Sequence, residues 1–430
     1  MYVERLKVGM RTPVPKKNVP QGRAKKSKPP KAQRLNPPAQ ESKESQPMNR
    51  DLAAAKAAKK DEFYTQYADI QKEVEAYLEF NADTFRGKIV YCNCDDPFES
   101  NFFKYFAANF NKLGLKKLIT TSYDGSPIAG AQLTFGEYGS GNVERPKPNA
   151  IAVEIEEVKT ISRDGSTGIE DVKLFLEQNP HSRTPLTGSG DFQSTECVEL
   201  LKKADIVVTN PPFSLFKEFV AQLVEHEKRF LIIGNLQAIT YLEIFKLIKG
   251  NKLWLGPTIR SGDREFRVPP HYPLKAAGWR VDENGVKYIR VKGVRWYTNL
   301  DHGRRHQKLP LMTNADNFKF SKHKEVIGIG YETYCNFDAL EIPFTDAIPS
   351  DFDGIMGVPI TFLDRYDPDQ FEIIANGDDR DEMEALGVPP LGPEYVGNAG
   401  RRKVGVPSTK KAAYKRIFIR HRRPSKGTEK

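Results

Sequence analysis

The feature that most constrains the fold is an order of strand, helix and strand that the apolar pattern predicts twice along the chain. In the first occurrence an apolar strand over residues 88–94 precedes a helix over 98–113 and a second strand over 115–122. A helix between two strands carries the chain back to the edge where the first strand began, so the two strands pair in parallel. The pattern therefore predicts a parallel βαβ unit and an α/β fold.

The second occurrence comprises a strand over residues 205–209, a helix over 215–226 and a strand over 229–233. Elements of the same kind follow it, namely a helix over 241–249 and strands over 252–255 and 293–298. Together these elements predict an alternating α/β region of about 250 residues.

The segments outside these units show other patterns. Residues 51–80 carry apolar side chains at spacings of three and four, which predict an amphipathic helix. Residues 123–182 interrupt the α/β pattern, and their apolar runs at 132–135 and 150–155 predict an inserted hairpin. Beyond Asp301 the chain is rich in Asn, Asp, Pro and Gly, which predicts a loop-rich C-terminal module that ends in a basic strand and tail.

The charge balance indicates a polyanionic partner. The chain has 66 Lys and Arg residues against 56 Asp and Glu residues, which gives a net charge of +10. Residues 1–50 are rich in Lys, Arg, Pro, Gln and Ser and lack apolar periodicity, so we predict a disordered basic arm. Such an arm fits a solubilising tail as well as it fits nonspecific binding of phosphates.

The cysteines indicate neither a disulfide framework nor a zinc site, because no C-x-x-C pair occurs among Cys92, Cys94, Cys197 and Cys335. No metal site is predicted. The sequence also contains no signal-peptide apolar region and no apolar run of about 18 residues, the length that a membrane span needs. We therefore expect a soluble protein of the reducing cytoplasm.

The sharpest motif is Asn210-Pro211-Pro212-Phe213, which directly follows the predicted strand over 205–209. Ligands of an open α/β sheet bind beyond the carboxyl ends of its strands. An aromatic amine is a poor nucleophile, and two acceptors that hold its hydrogens, on Asn210 and the Pro211 carbonyl, favour a pyramidal nitrogen with an exposed lone pair. Phe213 would stack on a base extruded from a duplex. The alternative is a tight turn with prolines for stiffness.

A second motif, Gly190-Asp191-Phe192, precedes the helix that leads into the same strand. A carboxylate at Asp191 can accept a hydrogen bond from the amino group of a cofactor adenine, while the ring of Phe192 packs on that adenine. By itself Gly-Asp-Phe is a common turn. Its combination with the strand and with Asn-Pro-Pro-Phe favours a methyltransferase.

A third motif, Asp95-Asp96-Pro97, lies where the first predicted strand meets its helix. Carboxylates at such a turn can hold the ammonium or ribose hydroxyls of a cofactor. Helix capping by Asp96, with Pro97 at the first helical position, explains the same residues and is compatible with that role.

With these motifs in place, the sequence resembles the EcoRI-type adenine-specific DNA methyltransferases. The similarity covers most of residues 59–420 and leaves the N-terminal arm outside. It is carried by NCDDPFES (93–100), GDF (190–192), ADIVVTNPPFSLF (204–216), FLIIGN (230–235), WYTNLD (296–301) and FDGIMGVPITF (352–362).

The resemblance implies a Rossmann-like class I methyltransferase sheet, S-adenosylmethionine as methyl donor and double-stranded DNA as partner. It matches residues 210–213 to the catalytic motif and Asp191 and Phe192 to the site of the cofactor adenine. The changes of composition and pattern near residues 50 and 301 divide the chain into a basic arm (1–50), a catalytic domain (51–300) and a target-recognition module with a basic tail (301–430). The sequence does not determine whether a cognate restriction nuclease that acts separately exists, nor does it determine the oligomeric state.

Other positions follow from the resemblance less directly. Tyr64 and Thr65 match an upstream motif that approaches the methionine part of the cofactor, although Tyr64 also fits core packing. The glycine-rich turn of most methyltransferases is missing after the first strand. For the ribose-binding carboxylate we prefer Asp124, and Glu154 is the alternative if residues 123–182 are not an insertion.

Candidate DNA contacts are an aromatic residue and a set of arginines. Phe266 could form the second aromatic face for a flipped base, although a single aromatic more often packs in a core. Phosphate contacts are predicted at Arg260, Arg264, Arg267, Arg304 and Arg305, with a solvated surface as the alternative. Two rival functions are a methyltransferase for RNA or protein glutamine and a catalytically silent DNA-binding relative.

Overall fold

The computed structural model of the chain describes residues 65–93, 95, 100–122, 150–158, 174, 178–179, 182–259, 263–268 and 279–422. Several predictions fall outside these residues: the basic arm, the run at 132–135, and the site residues Tyr64, Asp96, Pro97, Asp124 and Arg260.

The described strands, in chain order, are β1 (Ile89–Cys92), β2 (Lys117–Thr121), β3 (Ile151–Ile155), β4 (Arg183–Pro185), β5 (Ile206–Thr209), β6 (Arg229–Asn235), β7 (Trp254–Leu255), β8 (Arg264–Arg267), β9 (Trp279–Val281), β10 (Lys287–Val291), β11 (Val294–Thr298), β12 (Ala339–Glu341), β13 (Ile355–Pro359), β14 (Phe371–Asn376), β15 (Gly405–Val406), β16 (Lys411–Ala412) and β17 (Arg416–His421). Among them the largest sheet has eight strands in the order β4-β3-β2-β1-β5-β6-β11-β7. We call it the central sheet.

Both predicted βαβ units are confirmed. Strand β1 pairs in parallel with β2 on one side and with β5 on the other, and β5 pairs in parallel with β6. Strand β11 runs antiparallel to both β6 and β7. The carboxyl ends of β1, β2, β5 and β6 therefore meet along one side of the central sheet, which we call the carboxyl edge.

The described α-helices are α1 (Tyr67–Phe80), α2 (Asn101–Ala108), α3 (Phe110–Leu113), α4 (Thr195–Lys203), α5 (Phe216–Glu225), α6 (Leu242–Lys249), α7 (Asn314–Phe320) and α8 (Arg380–Ala385). The single helix predicted over 98–113 is two helices, because the chain leaves helical geometry at Asn109. The first of these helices, α2, has Ser100 as its N-cap and not the predicted Asp96. The hydroxyl of Ser100 accepts hydrogen bonds from the backbone amides of Phe102 and Phe103.

Side chains alternate between the two faces of the central sheet and build a core on each. Val90 and Cys92 face the core that contains α1 and α2, whereas Tyr91 faces the core that contains α4, α5 and α6. The second of these cores continues into the C-terminal region through Met356 and Ile419. The architecture is therefore a mixed α/β arrangement with helices on both faces of a large mixed sheet.

The predicted insertion is partly wrong. Residues Ile151–Ile155 form a strand of the central sheet, with Val153 opposite Thr120 in an antiparallel register with β2. The apolar run is buried by that pairing rather than by a separate hairpin. A single sequence gives no indication of such a partner, because strand pairing across a long connection leaves no local pattern.

A small sheet with the order β8-β10-β9 was not predicted. In the turn between β9 and β10, the Asp282 carboxylate accepts hydrogen bonds from the amides of Asn284 and Val286. Gly285 in the same turn has a φ of 77°. The strands are short and rich in charged residues, so their period-2 pattern is weak.

The C-terminal region contains a four-stranded sheet in the order β12-β13-β17-β14. The basic strand predicted near the C-terminus is confirmed as β17, which lies between β13 and β14. Its central side chains Ile417, Phe418 and Ile419 are buried. Within the described residues, no helix has the length and apolar character to span a membrane.

A buried carboxyl joins α1 to the end of β7. Glu73 accepts hydrogen bonds from Tyr77 Oη at 3.1 Å, from the Thr258 amide at 3.0 Å and from the Thr258 hydroxyl. A Cβ at Gly256 would lie 2.1 Å from Glu73 Oε1, so only glycine fits there. Burial raises the pKa of Glu73 from 4.5 to about 7, although the hydrogen bonds from Thr258 and Tyr77 oppose that rise.

We expect Glu73→Gln to flatten the dependence of stability on pH. The folded state binds the Glu73 proton more tightly than the unfolded chain does, so this proton stabilises the fold fully below pH 4.5. The contribution falls as pH rises to about 7, by up to about 1.4 kcal/mol per pH unit. Urea denaturation between pH 5 and about pH 8 should show this loss in the wild type and not in the variant.

Glu79→Gln, at an exposed glutamate of the same helix, is the matched control and should keep the wild-type dependence on pH. Parallel stability profiles for the wild type and Glu73→Gln would contradict the assignment.

Candidate active site

Polar residues follow three adjacent strands at the carboxyl edge. Asn93 and Asp95 come after β1, Thr121 ends β2, and Thr209 ends β5 just before Asn210. All five are buried. Because parallel neighbours are about 4.8 Å apart, these side chains come within reach of one another.

Asn93 connects the three strands. Its Oδ1 accepts from Tyr91 Oη at 3.1 Å and from Thr121 Oγ1 at 3.3 Å. Its backbone carbonyl accepts from Thr209 Oγ1 at 2.5 Å. The sequence motifs include Asn93 and Thr209 but not Tyr91 and Thr121, whose apolar neighbours suggest only strand positions. The network fixes the end of β1 relative to β2 and β5.

Asp95 is held at the turn between β1 and α2. Ser100 Oγ donates to its Oδ1 at 2.7 Å, and Thr120 Oγ1 donates to its backbone carbonyl. Ser100 is at the same time the N-cap of α2. The Asp95 carboxylate is thus oriented by the start of α2.

Thr65 lies beside this turn. Asn101, the first residue of α2, donates from its side-chain amide to the Thr65 carbonyl at 2.7 Å. The Thr65 hydroxyl is buried, and no described residue makes a hydrogen bond with it. A buried hydroxyl without a partner is costly, which favours a polar ligand at this position.

The Asn-Pro-Pro-Phe motif lies at the end of β5. Asn210 is 7% exposed, both prolines are buried, and Phe213 is half-buried at the start of a 3₁₀ turn over Phe213–Leu215. The Pro212 carbonyl accepts from the Leu215 amide at 3.0 Å, which closes that turn. The motif is therefore a tight turn, and its place at the carboxyl edge is compatible with a catalytic role.

Phe216 supports the motif from behind. It is the first residue of α5, and its ring packs against Tyr297 with ring centroids 4.9 Å apart. A Cβ at Gly234, near the end of β6, would lie 2.5 Å from the Phe216 ring. Gly234 thus lets α5 approach the sheet closely enough to place the turn before it.

The Gly-Asp-Phe motif contacts the same helix. Phe192 is 1% exposed and packs edge to face on Phe219 of α5 at 5.0 Å. Gln222 of α5 donates to the Phe192 carbonyl at 3.1 Å. The motif is a turn in which Gly190 has a φ of 72° and Asp191 Oδ1 accepts from the Gln193 amide at 2.9 Å. The structure therefore brings the two motifs together through α5, with Asp191 half-buried and Phe192 in the core.

The two candidates for the ribose carboxylate are placed differently. Asp124 lies outside the described residues. Glu154 pairs with Lys117 at 2.8 Å. Lys117 is the first residue of β2, so Glu154 is tied toward the amino end of that strand and away from the carboxyl edge.

The candidate DNA contacts separate into two groups. Phe266 is buried and packs in the same core as α1 and α2, while Arg264 and Arg267 on β8 are half-buried. Arg264 Nε lies 3.7 Å from Asp69 Oδ1.

Arg304 and Arg305 make contacts within the protein. Arg304 donates to the carbonyls of Pro257 and Asp364 at 2.8 Å and 2.7 Å. Arg305 is buried with its guanidinium 3.6 Å from the ring centroid of Trp254. In the sequence, the basic run that contains Arg304 and Arg305 looks the same as an exposed basic cluster. Only the tertiary contacts show that these two guanidinium groups are bound within the protein.

Comparisons with known proteins agree on one family. The sequence model of the family described as "Adenine-specific methyltransferase EcoRI" matches residues 51–422. The Type II methyltransferase M.EcoRI of Escherichia coli is 44% identical over 326 residues, which make up 76% of this chain and 89% of that protein. The Type II methyltransferase M.MpnI of Mycoplasma pneumoniae is 36% identical over 324 residues, 74% of this chain and 83% of that protein. M.MgeORF184P of Mycoplasma genitalium is 36% identical over 323 residues, 74% of this chain and 84% of that protein.

We expect Gly234→Ala to destabilise the fold by about 1 to 3 kcal/mol, because the new methyl group overlaps the Phe216 ring. Urea denaturation measures this change in the free energy of unfolding. Phe216→Leu provides the control, since a smaller side chain relieves the overlap. The double variant should therefore cost less than the sum of the two single changes. Additive costs would mean that the two residues do not contact each other.

Proposed function

Because the chain belongs to the EcoRI-type family of adenine-specific methyltransferases, we propose that it transfers a methyl group from S-adenosylmethionine to the exocyclic 6-amino group of a flipped-out adenine in double-stranded DNA. The observation that carries this proposal is the placement of Asn210–Phe213 at the carboxyl edge, joined through α5 to the turn that contains Asp191. We infer from the same placement that the central sheet is a Rossmann-like methyltransferase sheet.

Asn210 and Pro211 perform the first chemical task, which is to activate the amine. The Asn210 side-chain oxygen and the Pro211 carbonyl each accept a hydrogen bond from the adenine amino group, which favours a pyramidal nitrogen with its lone pair exposed. The Pro212 carbonyl is used to close the turn, so it does not share this role. Because the prolines restrict the backbone and Asn210 is buried, the acceptors are fixed before substrate arrives.

Phe213 holds the base. A base inside a duplex cannot present its amino group to a site at the end of a buried strand, so the adenine has to leave the stack. Phe213 is half-buried and packs on the core only in part, which leaves ring surface for stacking against the flipped base. Phe266 is buried, and we assign it to the core.

Three described residues fit the cofactor. Bound S-adenosylmethionine supplies an electrophilic methyl group on a positively charged sulfur. The Asp191 carboxylate accepts from the adenine amino group of the cofactor, Asp95 contributes a carboxylate at the turn before α2, and the Thr65 hydroxyl contacts the methionine part. The buried Thr65 hydroxyl without a described partner supports this assignment. Phe192 serves mainly to anchor the turn on α5.

The remaining cofactor and DNA assignments rest on the sequence motifs, the positive charge of the arginines and the family resemblance. They comprise Tyr64, Asp96, Pro97 and Asp124 for the cofactor and Arg260, Arg264 and Arg267 for DNA phosphates. For Arg304 and Arg305 we propose an internal role, because their guanidinium groups bind other parts of the chain. We propose that residues 51–300 form the catalytic domain, that residues 301–430 recognise the target, and that the arm of residues 1–50 contacts phosphates.

The proposal is tested directly by methylation with labelled S-adenosylmethionine. Double-stranded DNA, RNA and protein are offered in parallel, and the product nucleosides are separated by mass spectrometry. Label in N6-methyladenine from DNA supports the proposal. Label confined to RNA or to glutamine would replace it with a rival function.

We expect Asn210→Ala to lower single-turnover methylation by a factor on the order of 100 or more, because an acceptor used mainly in the transition state is lost. Binding of S-adenosylmethionine, measured by calorimetry, should be nearly unchanged. Asn210→Asp keeps an acceptor oxygen and should lose less activity, which makes it the matched control. Near-normal turnover in Asn210→Ala would exclude Asn210 from catalysis.

We expect Asp191→Ala to weaken binding of S-adenosylmethionine by about 1 to 3 kcal/mol, because a hydrogen bond to a buried polar edge is lost. Asp191→Asn preserves an acceptor for the Gln193 amide, so it separates loss of the turn from loss of the cofactor contact. Calorimetry measures the cofactor and fluorescence anisotropy measures DNA. Unchanged cofactor affinity together with weaker DNA binding would show that the assignment is wrong.

A further inference from the structure

Exposed apolar side chains cluster in one short segment of the C-terminal region. Among the described residues, Phe318 (46% exposed), Phe320 (69%), Ile327 (43%) and Ile329 (69%) all lie between residues 318 and 330. We call residues 318–330 the knob. Exposed apolar residues are common singly, but a cluster with a polar rim marks an interaction surface.

The backbone of the knob brings the helix end and the following turn together. The end of α7 and the following turn fold back on each other, because the Gly328 amide donates to the Phe318 carbonyl at 2.8 Å. Gly328 and Gly330 have φ values of 70° and 84°, which only glycine adopts readily. A Cβ at Gly330 would lie 3.8 Å from the Phe318 ring, so the helix end and the turn are in contact.

The base of the knob is fixed to the rest of the fold. The ring of His323 stacks on Phe344 with ring centroids 3.8 Å apart, and its Nε2 lies 2.7 Å from Asp346 Oδ1. Lys322 pairs with the other oxygen of Asp346 at 2.6 Å. Val326 is completely buried. Because these contacts hold the base of the knob rigid, less entropy is lost when its exposed side chains bind a partner.

Asp346, which binds the base of the knob, shares a cavity with a residue that binds the central sheet. Asp346 and Asp364 line one cavity of 290 Å³, together with Arg304 and Arg365. Arg295 Nε lies 3.3 Å from Asp364 Oδ1. Arg295 is paired in register with Gly234, the glycine that accommodates Phe216 behind the Asn-Pro-Pro-Phe turn.

The charge around the knob favours a polyanion. Lys319 and Lys324 are exposed next to the apolar tip, against one exposed carboxylate at Glu325, and the charge of Lys322 is paired with Asp346. Two copies of the chain joined symmetrically through this surface would bring the same lysines close to each other, which is unfavourable. Apolar side chains flanked by cations are the combination with which proteins wedge into DNA base steps.

Resting on the proposed function, we propose that the knob is a DNA-contacting wedge, in which Phe320 and Ile329 contact the bases of the distorted duplex and Lys319 and Lys324 contact the flanking phosphates. A protein that flips a base has to compensate for lost stacking, and apolar side chains inserted at the duplex provide such compensation. The wedge contributes to DNA distortion, whereas the amine is activated at Asn210 and Pro211.

Two double variants separate the apolar and ionic parts. Phe320→Ser/Ile329→Ser should weaken binding to duplex DNA by a factor on the order of ten or more, with an unchanged salt slope. Lys319→Gln/Lys324→Gln should make the negative slope of log affinity against log salt shallower by about 2, one unit per lysine. The matched control is Trp279→Ser/Val281→Ser, at two exposed apolar positions of β9, outside the knob and outside residues 301–430.

Anisotropy with a labelled duplex gives affinity, and 2-aminopurine at the target adenine reports base flipping. On a duplex whose target adenine is already unpaired, the Phe320→Ser/Ile329→Ser variant should recover most of its methylation. Because the changed side chains are exposed, we expect the variants to keep the wild-type fold. Thermal melting checks this. Methylation by the wild type and by the control variant reports on the proposed function independently of the knob.

Wild-type affinity and wild-type 2-aminopurine fluorescence in the Phe320→Ser/Ile329→Ser variant would overturn the proposal. So would a change from dimer to monomer in sedimentation, because that result would assign the knob to contact between copies of the chain. A photocrosslinking residue at position 320 gives a further check. It should crosslink to duplex DNA, and the same residue at position 281 should not.

Discussion

The parallel pairing of β1 with β2 on one side and β5 on the other is the constraint on which the candidate site depends. It places Asn93, Thr121 and Thr209 within hydrogen-bonding distance at the ends of three different strands. Buried polar groups are stable only when they are satisfied, so this network opposes any shift of one strand along another. Asn210 follows Thr209 directly, and its position is therefore determined by backbone pairing rather than by a flexible loop.

The second constraint is the close approach of α5 to the sheet. Gly234 leaves room for the Phe216 ring, and the same helix presents Phe219 and Gln222 to the turn that contains Phe192. One helix thereby orients both the motif that we assign to the amine and the motif that we assign to the cofactor. Two substrates that react with each other need a common rigid support of this kind, because a small error in their separation strongly lowers the reaction rate.

The C-terminal region packs against the part of the chain that contains the central sheet and is not attached by a linker alone. Met356 and Ile419 belong to the same apolar core as α5 and α6, and Arg295 of the central sheet binds Asp364. The DNA contacts that we propose for the C-terminal region therefore lie on a surface with a fixed relation to the carboxyl edge. This relation is what a wedge at the knob requires if it is to assist flipping at a site on another element.

The sequence by itself determined the features that depend on local pattern. The order of strand, helix and strand, the parallel units and the motifs at residues 190–192 and 210–213 are all visible in short windows, because periodicity and turn chemistry are local properties. Tertiary structure decided the antiparallel strand Ile151–Ile155, the burial of Phe266 and Glu73, and the internal contacts of Arg304 and Arg305. Each of these outcomes depends on a partner distant in the chain. An aromatic, a glutamate or an arginine has the same local pattern whether its partner is solvent, DNA or the protein interior, and only the folded arrangement distinguishes them.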